Sequence, residues 1–443
     1  MARKVFISFL GTNDYLLCNY FEEGEEERKI KNVKYIQEAI VRLYCQDFGS
    51  TDKLCVFVTE DAKNKNWKDN GHLDRKTKKN IPNEGLNTRL NNLKLDAKIE
   101  VVDINDGFNT TQIWSIFDKM YNQINEEDEL IFDITHAFRF LPMLGMVFMD
   151  YVRTLKKVTV RSIHYGAFEA LGSFFDVKEM DIEDRNAEIL DLTNFAVLQQ
   201  WTVAASDFIN YGRSAGLSSL TKQKIIPLLK TRNENTKVAR EFNLLSKSLD
   251  VATDCLQTNR GKELIKGRIF SNLQNNLQNI SNEDFIVPMK PILRRIERKI
   301  KPFSKIEDWK NGFIAVEWCI EHHLTQQGIT MLQESLFTYY CILHDLDYQN
   351  EKDRDLISAC FFIKNNDFEN DANQWNAIAK SNAKKVIEIV NTIPKELATD
   401  YESLTQGARN DINHGGFSKN ESPTNLRNKL KKSYQTIRNL IQS

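Results

Sequence analysis

The stretch "ELIFDITHAFRFLP", residues 129–142, changes character in its middle. It begins as a short, nearly continuous apolar run, the pattern of a strand buried on both faces. A polar loop with Asp133, Thr135, His136 and Arg139 follows, and a helical pattern then runs from Phe138 to Leu155. The same kind of apolar run recurs in "KVFISFL" (4–10), "KLCVFVT" (53–59), "KIEVVDI" (98–104) and "VTVRSIHY" (158–165). Helical patterns lie between them at Val33–Phe48 and Thr111–Ile124. Strand and helix alternating in this way predict an α/β domain with a mostly parallel sheet. The Lys-, Asn- and Asp-rich segment 62–82 breaks the rhythm and reads as a mobile surface excursion.

Beyond Tyr165 the strand signal fades. From about Asp191 the chain turns helical, with apolar residues at three- and four-residue steps in "NFAVLQQWTVAASDFINYG". A polar middle follows, ending in the basic run "KPILRRIERKIKPF" at 290–303, and the remainder from Trp309 is again helical. The expected layout is an α/β domain over 1–185, a helical middle region over 186–300 and an all-α domain over 301–443.

The bulk numbers agree with a multidomain globular chain. At 443 residues it exceeds one typical core, and 41% hydrophobic with 27% charged residues suits a folded, hydrated protein. Sixty Lys and Arg balance 61 Asp and Glu, a net charge of -1, so any nucleic-acid contact must use local basic patches. Seven scattered cysteines match neither zinc spacing nor a closed disulfide framework and read as buried thiols. The apolar run near the start is at the short limit for a signal peptide and no cleavage site follows; a cytoplasmic protein with no membrane span is expected.

In a parallel sheet, ligands bind beyond the carboxyl ends of the strands, where strand order reverses. Two loops are furnished for that. "FLGTNDYLL" offers Gly11 for a tight turn and Thr12, Asn13 and Asp14 as short polar groups. "FDITHAFRFLP" offers Asp133, Thr135, His136 and Arg139, with Thr135 placed to cap the next helix and Arg139 to fork onto a phosphate. Each alone reads as an ordinary turn or cap; together at one sheet edge they point to a nucleotide or oligonucleotide. In "HYGAFEA" (164–170), Tyr165 and Phe168 either stack on a base or pack on the sheet. The chain contains no GxGxxG or GxxxxGK[ST] loop. Adjacent His322 and His323 diverge by about 100° on a helix, which is poor metal geometry.

Near the other end, "ARNDINHGGF" (408–417) sets Arg409 and His414 five apart, a net 140° or so on a regular helix. They converge if the helix ends between them, or if each meets its counterpart from a second subunit. Gly415 and Gly416 supply a helix stop. Histidine for proton transfer and arginine for a phosphorane suit RNA cleavage by the 2′-hydroxyl, although spacing alone also fits a cap with a surface histidine.

"RNDINH" resembles the Arg-Asn-x-x-x-His signature of HEPN ribonucleases. "FLGTNDY", "DITHAFRFLP", "YGAFEA" and the "DLTNF…W…F…YG" run resemble the CRISPR-associated Rossmann-fold (CARF) proteins of type III CRISPR systems. In order along the chain they are similar to the CARF–HEPN ribonuclease family. The resemblance implies a Rossmann-like CARF domain that binds cyclic oligoadenylate through Gly11, Thr12, Asn13, Asp133, Thr135, His136 and Arg139. It implies a HEPN domain in which Arg409 and His414 cleave single-stranded RNA, Asn410 supports the site and no metal takes part. Ala137 stands where the family often has glycine. Family members form homodimers, sometimes larger assemblies of dimers, and their activators are cyclic tetra-adenylate, the favoured expectation here, or hexa-adenylate. Two other functions fit the resemblance: a cyclic-oligoadenylate sensor or regulator without RNase activity, and an enzyme that also degrades its activator in the CARF pocket.

Overall fold

A computed structural model describes residues 2–442 apart from 23, 26–28, 74–78, 137–139, 231–235, 282–288 and 418–419, and the side chains of 224–230, 236, 238, 281, 406 and 442. The described strands are β1 (Lys4–Leu10), β2 (Cys18–Glu22), β3 (Ile30–Val33), β4 (Lys53–Val58), β5 (His72–Leu73), β6 (Asn80–Ile81), β7 (Lys98–Asp103), β8 (Glu129–Asp133), β9 (Thr159–Gly166) and β10 (Asn186–Asp191). Eight of them form one sheet in the order β3-β2-β10-β9-β8-β1-β4-β7, and β5 pairs with β6 apart from it. The five strands predicted from apolar runs are its parallel heart, β9-β8-β1-β4-β7.

Period-two alternation along β1 feeds two cores. Val5, Ile7 and Phe9 pack with helices Thr110–Gln123 and Leu141–Lys156 on one face. Phe6 and Leu10 join Leu54, Val56, Val58 and the helix Ile36–Tyr44 on the other. Phe6 and Ile7 are wholly buried, and full burial of such side chains stabilises by about 1.5–3 kcal/mol each.

Three differences from the expectation stand out. The sheet gains β2, β3 and β10, the last pairing parallel with β2 and antiparallel with β9. Residues 186–191 therefore belong to the sheet, past the boundary expected at 185, and the chain divides into compact units at 197 and 198. The segment expected to be a surface excursion instead holds a π-helical turn, Lys63–Trp67, in which Asn66 and Trp67 are buried.

Residues 198–443 form a single helical unit. Its aromatic core joins the expected middle and C-terminal regions: Phe270 stacks on Phe303 at 3.9 Å between centroids, and Phe208 lies 5.7 Å from Trp318. All seven cysteines are free, and all but Cys255 are buried. Among the described residues no helix is long and apolar enough to cross a membrane.

Candidate functional site

Strand order fixes where a ligand can enter. After β1 the chain first forms β2 and β3 at one edge of the sheet, then lays β4 and β7 outward on one side of β1 and β8 on the other. Strand order reverses between β1 and β8, and the carboxyl ends of those two strands, Leu10 and Asp133, lead directly into the two polar loops. Ser8 on β1 donates from Oγ to Asp133 Oδ2 at 2.6 Å, tying the ends together.

In the first loop the Gly11 amide donates to the Tyr15 hydroxyl at 3.0 Å, and a β-carbon on residue 11 would come within 2.9 Å of that oxygen. A side chain at residue 11 would have to push the Tyr15 hydroxyl aside. Thr12 and Asn13 are exposed, while their backbone is held from behind. Asn66 Nδ2 donates to the carbonyls of Gly11 (2.8 Å) and Asn13 (3.0 Å), and Lys65 Nζ to that of Thr12 (2.7 Å). Lys65 also pairs with Asp14 at 2.7 Å, and His72 Nε2 contacts Asn66 Oδ1 at 2.8 Å. Lys65, Asn66 and His72 were not anticipated. A buried amide in a segment otherwise spelled like a loop has no local signature.

The second loop is built on Asp133, whose carboxylate is fully buried. Burial raises its pKa, an effect partly offset by Ser8 and by the Thr135 amide, which donates at 2.9 Å. Thr135 is not the helix cap it was expected to be. Its Oγ1 accepts from the Gly166 amide on β9 at 2.8 Å, and the following helix starts at Leu141 with no side-chain cap. His136 is half-buried, edge-on to Tyr15 at 4.8 Å, and burial pushes its pKa down to about 4. The ring is therefore a neutral donor or acceptor near pH 7. Phe168 packs against the sheet core rather than standing free. Ala137 and Arg139 lie outside the described residues.

In the helical unit the helix Lys395–Glu402 widens into a π-helical stretch, Ser403–Arg409, and resumes as Asn410–Asn413. Such wide turns often mark functional positions. The chain stays helical from Arg409 to Asn413 and the His414 amide still donates to the Asn410 carbonyl, so the helix stops at His414 and the two side chains remain well apart around its axis. The amides of His414, Gly415 and Gly416 close the end onto the carbonyls of Asn410, Ile412 and Asp411 at 2.8–3.0 Å. Gly415 and Gly416 have φ of 65° and 75°, the left-handed geometry of a helix stop. His414 and Asn410 are exposed, and the half-buried Arg409 donates from Nη1 to Gln333 Oε1 at 3.0 Å.

Asp411, inside the motif, is a structural residue the sequence did not single out. It is 2% exposed, and its carboxylate accepts from the amides of Asn420 and Glu421, both at 2.9 Å. Gln326 Nε2 reaches Asn413 Oδ1 at 3.4 Å. His322 is buried against Trp318, with ring centroids 4.4 Å apart, whereas His323 is exposed. Among the described residues no cluster of three or more His, Cys, Asp or Glu is arranged to hold a metal ion.

Comparison with known proteins follows this division of the chain. Residues 5–169 match the family described as CRISPR system endoribonuclease Csx1, CARF domain. Residues 197–305 match the second domain of CRISPR-associated protein MJ1674. The CRISPR-associated protein MJ1674 of Methanocaldococcus jannaschii is 24% identical over 252 residues, 56% of this chain. That match spans only 35% of the relative's length. With a match to a CARF domain at the sheet and to a second CRISPR-associated domain directly after it, the chain is similar to CARF-containing CRISPR-associated proteins.

Proposed function

We propose that the chain is a cyclic-oligoadenylate-activated, metal-independent endoribonuclease of type III CRISPR antiviral defence. The observation that carries the reading is the end of the helix 395–413: Arg409 is anchored by Gln333, and His414 stands exposed where the helix stops. In this mechanism His414 moves the proton of a ribose 2′-hydroxyl, and Arg409 offsets the charge that builds on the phosphorane. Asn410 supports the geometry. The products are a 2′,3′-cyclic phosphate and a 5′-hydroxyl. The loops at the β1/β8 reversal take the activator, with Thr12, Asn13, Thr135 and His136 nearest and Arg139 completing the set. Activation requires that the ligand bind the active state more tightly than the inactive one. A homodimer would set two motifs around one scissile phosphate and give a symmetric ring a symmetric pocket.

The test is to incubate the full chain with a fluorogenic single-stranded RNA in excess EDTA, adding cyclic tetra- or hexa-adenylate in turn. Cleavage is expected with one ring size, tetra-adenylate first, leaving 2′,3′-cyclic phosphate ends. Cleavage only on addition of Mg²⁺ or Mn²⁺ would overturn the mechanism. Activator binding without cleavage would favour the rival reading, a sensor without RNase activity.

A further inference from the structure

The helix Lys290–Ile300 and the lysine after it carry six basic residues against one acid, Glu297, in a chain whose net charge is -1. The concentration has a geometry. Leu293, Ile296 and Ile300 are wholly buried and seat the helix in the core. Arg294, Arg298 and Lys301, at steps of four and three, fall within roughly 60° of arc on the opposite, exposed side, and exposed Arg295 flanks them. Among the described residues, none of these four makes an ion pair. Lys299 does, bonding Glu321 with its ammonium 5.2 Å over the Trp318 ring.

We infer that this face is a docking surface for the phosphodiester backbone of RNA. From Lys290 to Lys301 the helix rises about 16 Å, a length over which one strand of a duplex carries about five phosphates. The helix packs against Arg268–Ser281, whose Asn272 and Asn275 are exposed, and Lys305 donates to Asn275 Oδ1 at 3.4 Å. Cations beside amides suit a sugar–phosphate strand, which offers charged oxygens and hydroxyls together. A lipid surface fits poorly, because the apolar side of the helix is spent in the core and cannot enter a bilayer.

The surface also has a continuation. The Lys299–Glu321 bond joins the helix to the end of Lys310–Glu321, and His323 just beyond lines a cleft with Gln326, Ile412 and Arg427. Ile412 lies inside the Arg409–His414 motif. Past the cleft, exposed Arg427 and Lys431 stand four residues apart on the last helix. A strand docked on the basic helix thus has a chain of bonded and lining residues to follow to the motif. The identity of the strand as substrate rests on the ribonuclease reading; the binding itself does not.

The test uses full-length protein with His414→Ala, so that the probe survives, and a fluorescein-labelled 20-nucleotide single-stranded RNA read by anisotropy across a salt series. Arg294→Gln, Arg298→Gln and Lys301→Gln together should weaken binding at least tenfold at low salt. They should also flatten the log–log salt slope by about 2, at about 0.7 per lost single-strand contact. Lys352→Gln with Lys384→Gln, equally exposed on the same unit, should change neither, and unchanged thermal melts would show the fold intact. Wild-type affinity and slope in the triple variant would overturn the surface. Tighter binding of a 20-base-pair DNA duplex would overturn its assignment to RNA. If the wild-type motif never cleaves RNA yet the triple variant loses binding, the ribonuclease reading fails and the surface stands. If the triple variant binds as its parent does, and the same three substitutions with His414 intact leave cleavage at the wild-type rate, the reverse holds.

Discussion

Asp411→Ala should free the segment that follows the helix stop without unfolding the helical unit. The buried carboxylate accepts two backbone amides, Asn420 and Glu421, at 2.9 Å each. Hydrogen bonds to a charged group contribute about 1.5–3 kcal/mol apiece, so both together hold the segment by about 3–6 kcal/mol. The released amides can turn to water if 414–421 lifts, which caps the cost at the docking energy of that segment. At about 1.4 kcal/mol per factor of ten, even the lower figure raises the open population about a hundredfold. Native-state hydrogen exchange should then show the Asn420 and Glu421 amides exchanging at least a hundredfold faster, while amides of the core helix Thr325–Leu343 hold their rates. Asp411→Asn keeps one acceptor oxygen but turns an NH2 toward the other amide, so it should fall between wild type and Asp411→Ala. RNA cleavage should drop in the same order, because His414 sits at the near end of the freed segment. Exchange within threefold of wild type in Asp411→Ala would refute the reasoning, whatever the activity.

His414→Ala or Arg409→Ala should abolish RNA cleavage with melting temperature and activator affinity preserved, and near wild-type cleavage by both would remove the motif from catalysis. Gln333→Ala should lower kcat about tenfold by loosening Arg409, with RNA affinity little changed; a wild-type kcat would show that the Gln333 bond does not position it. Thr12→Ala should raise the activator concentration needed for half-maximal activity with little cost in stability, whereas Thr135→Val should also destabilise by about 1–3 kcal/mol by orphaning the Gly166 amide; titration and denaturant melts separate the two. His136 and His164 are both held near pKa 4 by burial, below the ordinary 6.5, so the folded state binds fewer protons than the unfolded state between those values. The stability this contributes is present above pH 6.5 and lost as pH falls toward 4, and His136→Gln should make the urea midpoint less sensitive over that window.

The parallel heart of the sheet was legible because its strands are written locally. "KVFISFL" and "ELIFDIT" are apolar enough to need cover on both faces, and that requirement places their polar ends at the reversal of strand order. β10 was missed because "NAEILD" alternates weakly and becomes a strand only through pairing with residues 19–22 and 164–166. The role of Asn66 depends on carbonyls 53 and 55 positions away. The π-helical stretch leaves no periodic trace in "SLTQGAR", and Asp411 looks like any acid on a helix surface until its two amide donors are seen. The HEPN-like motif was readable as letters, but the bonds that hold it in place were not.

The bracing of the first loop also decides what a ligand meets there. The carbonyl oxygens of Gly11, Thr12 and Asn13 each already hold a proton donor, from Asn66 or Lys65. Three consecutive lone-pair dipoles that would otherwise repel an anion are thereby partly neutralised from the protein side, one of them by an ammonium. Replacing Asn66 with aspartate would reverse the polarity: the carboxylate could not donate, the carbonyls of Gly11 and Asn13 would face its charge, and the loop would turn from tolerating a phosphate to favouring a cation.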